Sequence, residues 1–271
     1  MKTIGVIIST YNNPRWLEKT LWGYLCQTHA PFELIIADDG SGQETKDLIA
    51  SYQAKSFPNI KHVWHADHGF QKCKILNKAL VEAESDYLIF TDQDCIPRKD
   101  FIETHLRYAR KGYILSGGYF KLPMPISEAI AYGDILSQQA FSLSWLKQLG
   151  LKQSFKNTKL VKSSAFTTLM NCITPTRATW NGMNASGWRE DLLAVNGFNE
   201  EMQYGGEDRE LGERLFNMGI RSKQIRYSAI CLHLDHERPY KNEAVMAKNK
   251  AIRKETKRNQ VIKTPNGISK Q

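Results

Sequence analysis

Short apolar runs alternating with amphipathic stretches fill the first hundred residues. Ile4 to Ser9 is almost wholly apolar and of strand length, as expected for a strand covered on both faces. Asn13 suits a helix N-cap and Pro14 the first helical position. Leu17, Leu21, Tyr24 and Leu25 then recur at helical spacing. Phe32 to Ala37 predicts a second strand, Glu44 to Ala54 a helix, and His62 to His65 a third strand. Ile75, Leu76, Ala79, Leu80 and Ala83 form another helical stripe, and Tyr87 to Thr91 a fourth strand. This order, β-α-β-α-β-α-β, implies an α/β fold with a mostly parallel sheet and crossover helices. Ligands of such sheets bind beyond the carboxyl ends of the strands.

The pattern changes after residue 118. Residues 121–180 mix lysines with Phe141, Leu143, Trp145, Leu146, Leu149, Leu151 and Phe155. They predict helices and loops: a lid, an acceptor platform, or an element lying in a membrane interface. Order returns at Asn184. A polar loop, 199–206, precedes a helix from Glu207 to Met218, which Gly219 closes. A short strand from Ser228 to Leu232 then leads into His233-Leu234-Asp235-His236. The chain divides on this reading into 1–118, 119–181, 182–240 and a basic terminal helix and tail, 241–271.

Charge sharpens the last division. The 271 residues carry +9, and nine Lys/Arg less two Glu put +7 of it between Lys241 and Gln271. Such a segment suits an anionic membrane or a phosphorylated glycolipid, or is a solvated, fraying helix. Five cysteines, none with CxxC spacing, predict reduced thiols and a cytoplasmic setting. No apolar run reaches the ~20 residues of a membrane helix, and the start reads as a first strand rather than a signal peptide.

Two strand ends carry acidic pairs, Asp38/Asp39 and Asp92/Asp94. Paired carboxylates at a buried strand end need positive charge nearby. A divalent cation such as Mn2+ or Mg2+ supplies it; so do Arg98 and Lys99, as a plain salt-bridge site. No GxxxxGK[ST] or GxGxxG follows the first strand, so a nucleotide would not be held in either of those ways. Gly205-Gly206-Glu207-Asp208 opens a helix. Acids there complement the helix dipole, or the glycines let backbone approach a ligand while an acid serves as base. His233 ends an apolar run and is either structural or a metal ligand. His62, His65 and His68 lack a metal-ligand spacing.

Together these segments resemble a known family. Ser9-Thr10-Tyr11-Asn12, Asp38-Asp39-Gly40-Ser41, Asp67 with Gly69-Phe70-Gln71, Asn77, and Phe90 with Asp92-Gln93-Asp94 resemble family 2 glycosyltransferases of the GT-A fold. Gly182-Met183-Asn184, Gly197-Phe198-Asn199-Glu200-Glu201, Gly205-Gly206-Glu207-Asp208 and Leu232-His233 resemble the domain shared by bacterial chondroitin polymerase and β-1,4-galactosyltransferases. The resemblance covers roughly 1–118 and 182–245. It implies that Thr10 and Tyr11 line a nucleoside pocket, with Asp39 and Asp67 on uracil or ribose and Asn77 in the nucleotide-sugar site. It further implies that Asp94 binds Mn2+ or Mg2+ and Asp92 the ribose or a metal-bound water. His233 would be a second metal ligand, with His236 as the alternative. Asp208 would be the general base, Glu207 would hold a sugar hydroxyl, and Asn184 would lie near the donor sugar. The chain departs from the pattern at Tyr204, where Trp is frequent, and at Leu76, where Arg is; Lys72 or Lys74 stands in reserve for a phosphate contact.

The expected activity is inverting, metal-dependent transfer of a hexose or N-acetylhexosamine from a UDP-sugar to a surface polysaccharide or lipid-linked glycan. A sugar-phosphate nucleotidyltransferase would need a glycine-rich start with Arg and Lys, which Ser9-Thr10-Tyr11-Asn12 does not supply. A non-catalytic glycan-binding protein would have no need of Asp94, Asp208 and His233 together. The acidic crevice argues against nucleic acid as a partner.

Overall fold

A computed structural model gives the structure and describes residues 3–55, 59–237 and 242–269. The first half follows the hydrophobic pattern closely: β1 (Ile4–Thr10), α1 (Pro14–Leu25), β2 (Glu33–Asp38), α2 (Gln43–Gln53), β3 (Ile60–Trp64), α3 (Lys72–Glu82) and β4 (Tyr87–Asp92). The Asn13 side chain accepts from the Trp16 N–H, and Pro14 stands at the first helical position, as predicted for α1. β3-β2-β1-β4 run parallel, with β1 between β2 and β4. Thr10 lies in register with Asp38, and Ser9 with Asp92, so both acidic strand ends reach one edge of the sheet.

The remaining elements are β5 (Cys95–Pro97), α4 (Phe101–Tyr108), β6 (Tyr113–Lys121), α5 (Met124–Ala129), α6 (Tyr132–Leu136), α7 (Leu143–Gln148), α8 (Ser164–Ile173), β7 (Ala185–Trp188), α9 (Arg189–Ala194), α10 (Glu207–Asn217), β8 (Arg221–His233) and α11 (Glu243–Arg258). Short 3-10 turns lie at Gln139–Phe141 and Phe155–Leu160. β7, β6, β8 and β5 continue the sheet, giving the order β3-β2-β1-β4-β7-β6-β8-β5. β7 is antiparallel to β4 and to β6, β8 is parallel to β6, and β5 is antiparallel to β8. One sheet therefore spans both halves of the chain, and β6 runs across residue 118.

Two apolar clusters cover the faces of the sheet. One packs Leu17, Leu21, Phe101 and Ile102 under α1 and α4. The other packs Ile75, Leu80, Leu211, Leu215 and Trp180 under α3 and α10. A third cluster joins Phe120, Ile126, Ile135, Phe141 and Leu146 to Leu232 and Leu234. Burial of a Leu- or Phe-sized side chain stabilises by roughly 1.5–3 kcal/mol, which explains why residues 122–146 sit down on β6 and β8. Phe141 and Leu146 are core, and Leu143, Trp145 and Leu151 pack against that core. The sequence left this stretch open to a membrane interface; these five side chains fill the protein, while Leu149 and Phe155 are exposed. Among the described residues no helix is long and apolar enough to cross a membrane.

The basic terminal helix forms as expected but does not hang free. Arg253 and Lys257 of α11 both pair with Glu213 of α10, at 2.5 Å and 3.1 Å. Beyond it, the Asn196 side chain donates to the Thr264 and Ser269 carbonyls, and the Glu200 N–H donates to the Asn266 carbonyl. Lys241 and Lys270, counted in the basic tail, lie outside the described residues.

Candidate active site

β5 is only three residues long, yet it builds one wall of the site. Cys95 lies in register with His233, and the Leu234 N–H donates to the Asp94 carbonyl at 2.8 Å. The hairpin-like contact therefore sets Asp94, from one half of the chain, against the histidines of the other. The Asp94 carboxylate is buried, 2.9 Å from His236 Nε2 and 3.8 Å from His233 Nε2. The two imidazoles stack with ring centroids 5.6 Å apart.

Each histidine uses its other nitrogen on the backbone. His233 Nδ1 donates to the Leu234 carbonyl at 2.7 Å and His236 Nδ1 to the Glu237 carbonyl at 2.8 Å. With Nδ1 protonated in this way, Nε2 of each ring faces Asp94 and in the neutral ring presents a lone pair there. Lone pair against carboxylate at 2.9 Å requires a proton or a cation between them. One carboxylate and two imidazoles, all ligand atoms within 4.8 Å of one another, form a donor set that fits a divalent transition ion. Burial works to raise the Asp94 carboxyl, but the hydrogen bond from His236 and the charge of both imidazoles hold it below its ordinary value. His233 and His236, the two histidines weighed as the second ligand, both face Asp94.

Asp92 faces the other way. Its Oδ1 pairs with Lys72 Nζ at 2.6 Å. Lys72 also feels Asp208 and Glu207; burial works against its charge, but the three carboxylates win and raise the ammonium well above its usual range. Asp208 receives the Gly182 N–H on Oδ2 at 2.9 Å, while its Oδ1 is out of contact with solvent and unpartnered. Burial first, then the neighbouring Glu207 charge, pushes the Asp208 carboxyl up to about 7. A Cβ on Gly182 would sit 2.7 Å from Asp208 Oδ1, so glycine there is a condition of this close approach. Glu207 is buried and accepts the Gly205 N–H at 2.8 Å. Gly205 and Gly206 have φ of 110° and 102°, a conformation that disfavours side chains. The paired glycines are thus explained by the turn that delivers Glu207 and Asp208 at the start of α10.

The expected nucleoside side holds together in part. The Tyr11 hydroxyl donates to Asp67 Oδ2 at 2.8 Å, and Asp67 Oδ1 accepts the Gly69 N–H. Asp39 pairs with His65 Nε2 at 2.7 Å and accepts the Gln71 N–H at 3.0 Å. Burial raises the Asp39 carboxyl, with His65 opposing. Thr10 is buried and gives its hydroxyl to Gln93 Oε1, which also accepts the Tyr11 N–H; Thr10 supports the crevice from behind.

Two expected site residues do other work. Asn77 is buried; its Nδ2 donates to the Phe198 carbonyl and Glu200 Oε1, and its Oδ1 accepts the Phe198 N–H. It clamps α3 to the 197–200 turn, with both Nδ2 hydrogens and an Oδ1 lone pair spent there. Asn184 is fully buried, donates to the Gly118 and Ala229 carbonyls, and contacts His105 Nε2 at 3.0 Å. It locks β6, β8 and α4 together rather than facing a sugar. Gln93, Lys72 and Gly182 carry parts of the site that the residue pattern underrated. Lys72, held in reserve for a phosphate contact, pairs with Asp92 instead; Gln93 and Gly182 stand within the matched motifs, but only their contacts show what they do. Leu76, at the position of the frequent Arg, is core. Tyr204 packs edge-on against Phe70 at 6.3 Å.

Known proteins match this chain along most of its length. Residues 5–133 match the model of glycosyl transferase family 2, and residues 166–237 match that described as the N-terminal domain of galactosyltransferase. The chain is 30% identical over 244 residues to a chondroitin synthase of Pasteurella multocida, covering 80% of this chain and 23% of that protein. It is 28% identical over 273 residues to a chondroitin synthase of Escherichia coli, covering 92% and 37%. A validoxylamine A glucosyltransferase of Streptomyces hygroscopicus is 27% identical over 231 residues, covering 80% and 48%. The chain thus spans less than half the length of each of these relatives. Among solved structures, Staphylococcus aureus TarS residues 1–349 in complex with UDP-GlcNAc superposes with a TM-score of 0.60 at 16% identity, covering 92% of this chain and 64% of that one. Mannosyltransferase PcManGT from Pyrobaculum calidifontis, in complex with GDP-Man and Mn2+, gives 0.59 at 17% identity, covering 88% and 59%. The architecture is the GT-A fold. The chain carries a glycosyl transferase family 2 domain at residues 5–133, followed by a galactosyltransferase-like part at residues 166–237.

Proposed function

We propose that this chain transfers a hexose or N-acetylhexosamine, with inversion, from a UDP-sugar to a hydroxyl of a surface polysaccharide or lipid-linked glycan. The observation that carries this is the convergence, at one sheet edge, of Asp208 beside the Asp92–Lys72 pair with the Asp94–His233–His236 cluster. The activities of the relatives, chondroitin synthases and a glucosyltransferase among them, support the reaction class and a glycan acceptor.

Asp94, His233 and His236 would hold Mn2+ or Mg2+, with the imidazoles favouring Mn2+; a bound ion supplies positive charge for a leaving diphosphate. Asp208, with a carboxyl poised near neutrality, takes the proton of the acceptor hydroxyl as its oxygen bonds to the anomeric carbon. The bond from that carbon to the diphosphate breaks in the same step. An α-linked donor then yields a β-glycoside. Lys72 holds Asp92 in place and tempers the negative charge around Asp208. Tyr11 and Asp67 present a hydrogen-bonded edge to the nucleoside.

A screen of UDP-sugars with Mn2+, read by thermal stabilisation and by UDP release, tests this. One or two sugars should raise the melting temperature and release UDP, and a chelator should abolish both. A flat response to every UDP-sugar in the presence of Mn2+ would sink the reading.

A further inference from the structure

The charge of residues 135–188 is lopsided in a way the donor site does not explain. From Ile135 to Trp188 there is no Asp or Glu, against six Lys/Arg: Lys147, Lys152, Lys156, Lys159, Lys162 and Arg177. β8 adds Arg221, Lys223 and Arg226, again with no acid. Surface cations in globular proteins are ordinarily interspersed with carboxylates.

Two of these cations are drawn inward. β6 and β8 pair in register up to Gly117↔Ile225 and resume at Gly118↔Ile230, so residues 226–229 bulge from β8. A bulge re-aims side chains and is favoured beside active sites. The Arg226 carbonyl lies so close to Gly118 that no side chain fits there. Arg226 is half-buried; its Nη2 reaches only neutral oxygens, Ser116 Oγ at 3.5 Å and the Arg177 carbonyl at 3.3 Å. Its Nε is out of contact with solvent and has no hydrogen-bond partner. Lys159, also half-buried, donates to the Tyr119 carbonyl at 3.0 Å and lies 5.2 Å from the centre of the Tyr119 ring. Among the described residues neither Arg226 nor Lys159 has an ion-pair partner. Burial lowers both side chains below their usual values, and each is further depressed by another cation: Lys159 by Arg226, Arg226 by Arg209. A desolvated cation without a counter-charge is costly unless a ligand supplies that charge.

Their position ties them to the site. The Tyr119 ring is 40% exposed and stands 5.8 Å from the His233 ring. On the other side, Ser116 accepts from Asn181, whose neighbour Gly182 holds Asp208. The cations therefore border the same crevice on the side reached through Asp208, where an acceptor hydroxyl has to arrive. An exposed aromatic face offers a sugar ring a platform, and a guanidinium with an ammonium matches an oxyanion.

Building on the glycosyltransferase reading, we propose that Arg226 and Lys159, with Tyr119, form an acceptor subsite for an anionic sugar residue. Carboxylate and phosphate share the required chemistry; the donor diphosphate is the competing occupant of the pair.

The test uses the full chain and three probes: oligosaccharides with alternating uronic acids, the same oligosaccharides after carboxyl reduction, and a phosphorylated hexose oligosaccharide. Equilibrium binding is measured by calorimetry at low and high salt, so that no donor need be known. One charged probe should bind about tenfold or more tightly than the reduced one, with the advantage shrinking at high salt. Which charged probe wins separates carboxylate from phosphate. Arg226→Gln and, separately, Lys159→Ala should erase the advantage while leaving affinity for the reduced probe unchanged. Under turnover each should raise KM for the charged acceptor and not KM for the UDP-sugar. Equal binding of charged and reduced probes, or discrimination that survives both variants, overturns the subsite. A rise in KM for the UDP-sugar alone assigns the pair to the donor diphosphate and also overturns it. If no UDP-sugar is turned over but the charged probe is still preferred through Arg226, the transferase reading fails and the subsite stands. Lys159→Ala gives the answer if Arg226→Gln does not fold.

Discussion

Asp208 concentrates the chemistry of the site in one carboxyl. Its pKa near 7 means that it is ready to accept a proton at neutral pH, at the cost of sitting crowded against Glu207 with one oxygen unpartnered. Transfer should therefore rise with pH through about 7 as Asp208 ionises, seen in a kcat/KM profile. Asp208→Asn should lower kcat by roughly 10²–10⁴-fold, the usual contribution of a general base. The same residue has a stability signature of the opposite sign. Its folded pKa lies above the ordinary value of ~3.9, so between about pH 4 and 7 the folded state keeps a proton that the unfolded chain has lost. The stability this gives is full below pH 4 and is lost as pH rises through 7. Asp208→Asn removes that loss, and thermal melts above pH 7 should show the variant more stable than wild type by roughly 2–4 °C. A variant both inactive and less stable at pH 8 would contradict the assignment. Of the expected residues, Asp92, Glu207 and Asp208 gather around Lys72, Asp94 meets His233, and Tyr11 meets Asp67, because acids at strand and helix ends have few structural duties. Asn77 and Asn184 are in none of these groups, because a buried amide and a ligand-binding amide look alike until their hydrogen bonds are traced.

At the scale of elements, α10 is the part that must stay still. It carries Glu207 and Asp208 at its start and is anchored about two turns further on. Arg214 is fully buried, pairs with Glu210 at 2.8 Å, and donates to the Val195 and Gly197 carbonyls. Arg214→Leu would leave Glu210 as a buried charge without its partner and orphan two carbonyls. A loss of about 3–5 kcal/mol in denaturant unfolding is expected; a change under 1 kcal/mol would show that α10 is held by its apolar face alone. α10 itself was legible from Leu211, Leu215 and the closing Gly219. β5 and β7 were not: three and four residues are too few to show a period, and both depend on strands far away in sequence. β6 escaped because Gly117 and Gly118 interrupt its apolar run, and they are there to admit Asn184 and the bulge of β8.

For the whole molecule, the terminal segment acts as a clasp. The Asn249 side chain reaches the Gln203, Tyr204 and Gly205 carbonyls at 3.0–3.3 Å, over the turn that leads into Glu207 and Asp208. Thr256 donates to Glu210, within the Arg214 network. Deleting residues 243–269 should lower the melting temperature by roughly 5 °C or more and reduce transfer, with protease cleavage appearing near residues 203–206. Unchanged activity after deletion would show that α11 is dispensable to the turn. The α/β alternation of the first hundred residues, the acidic strand ends and the helix opened by two glycines were all determined by the sequence alone, because each is a local pattern of period, charge or backbone freedom. The meeting of Asp94 with His233 and His236, the placing of Lys72 between Asp92 and Asp208, and the turning inward of Arg226 were decided only by the tertiary structure. Those contacts join residues from separate elements, most of them more than a hundred positions apart, or rest on a bulge in strand pairing, and no local pattern encodes the distance between two strand ends.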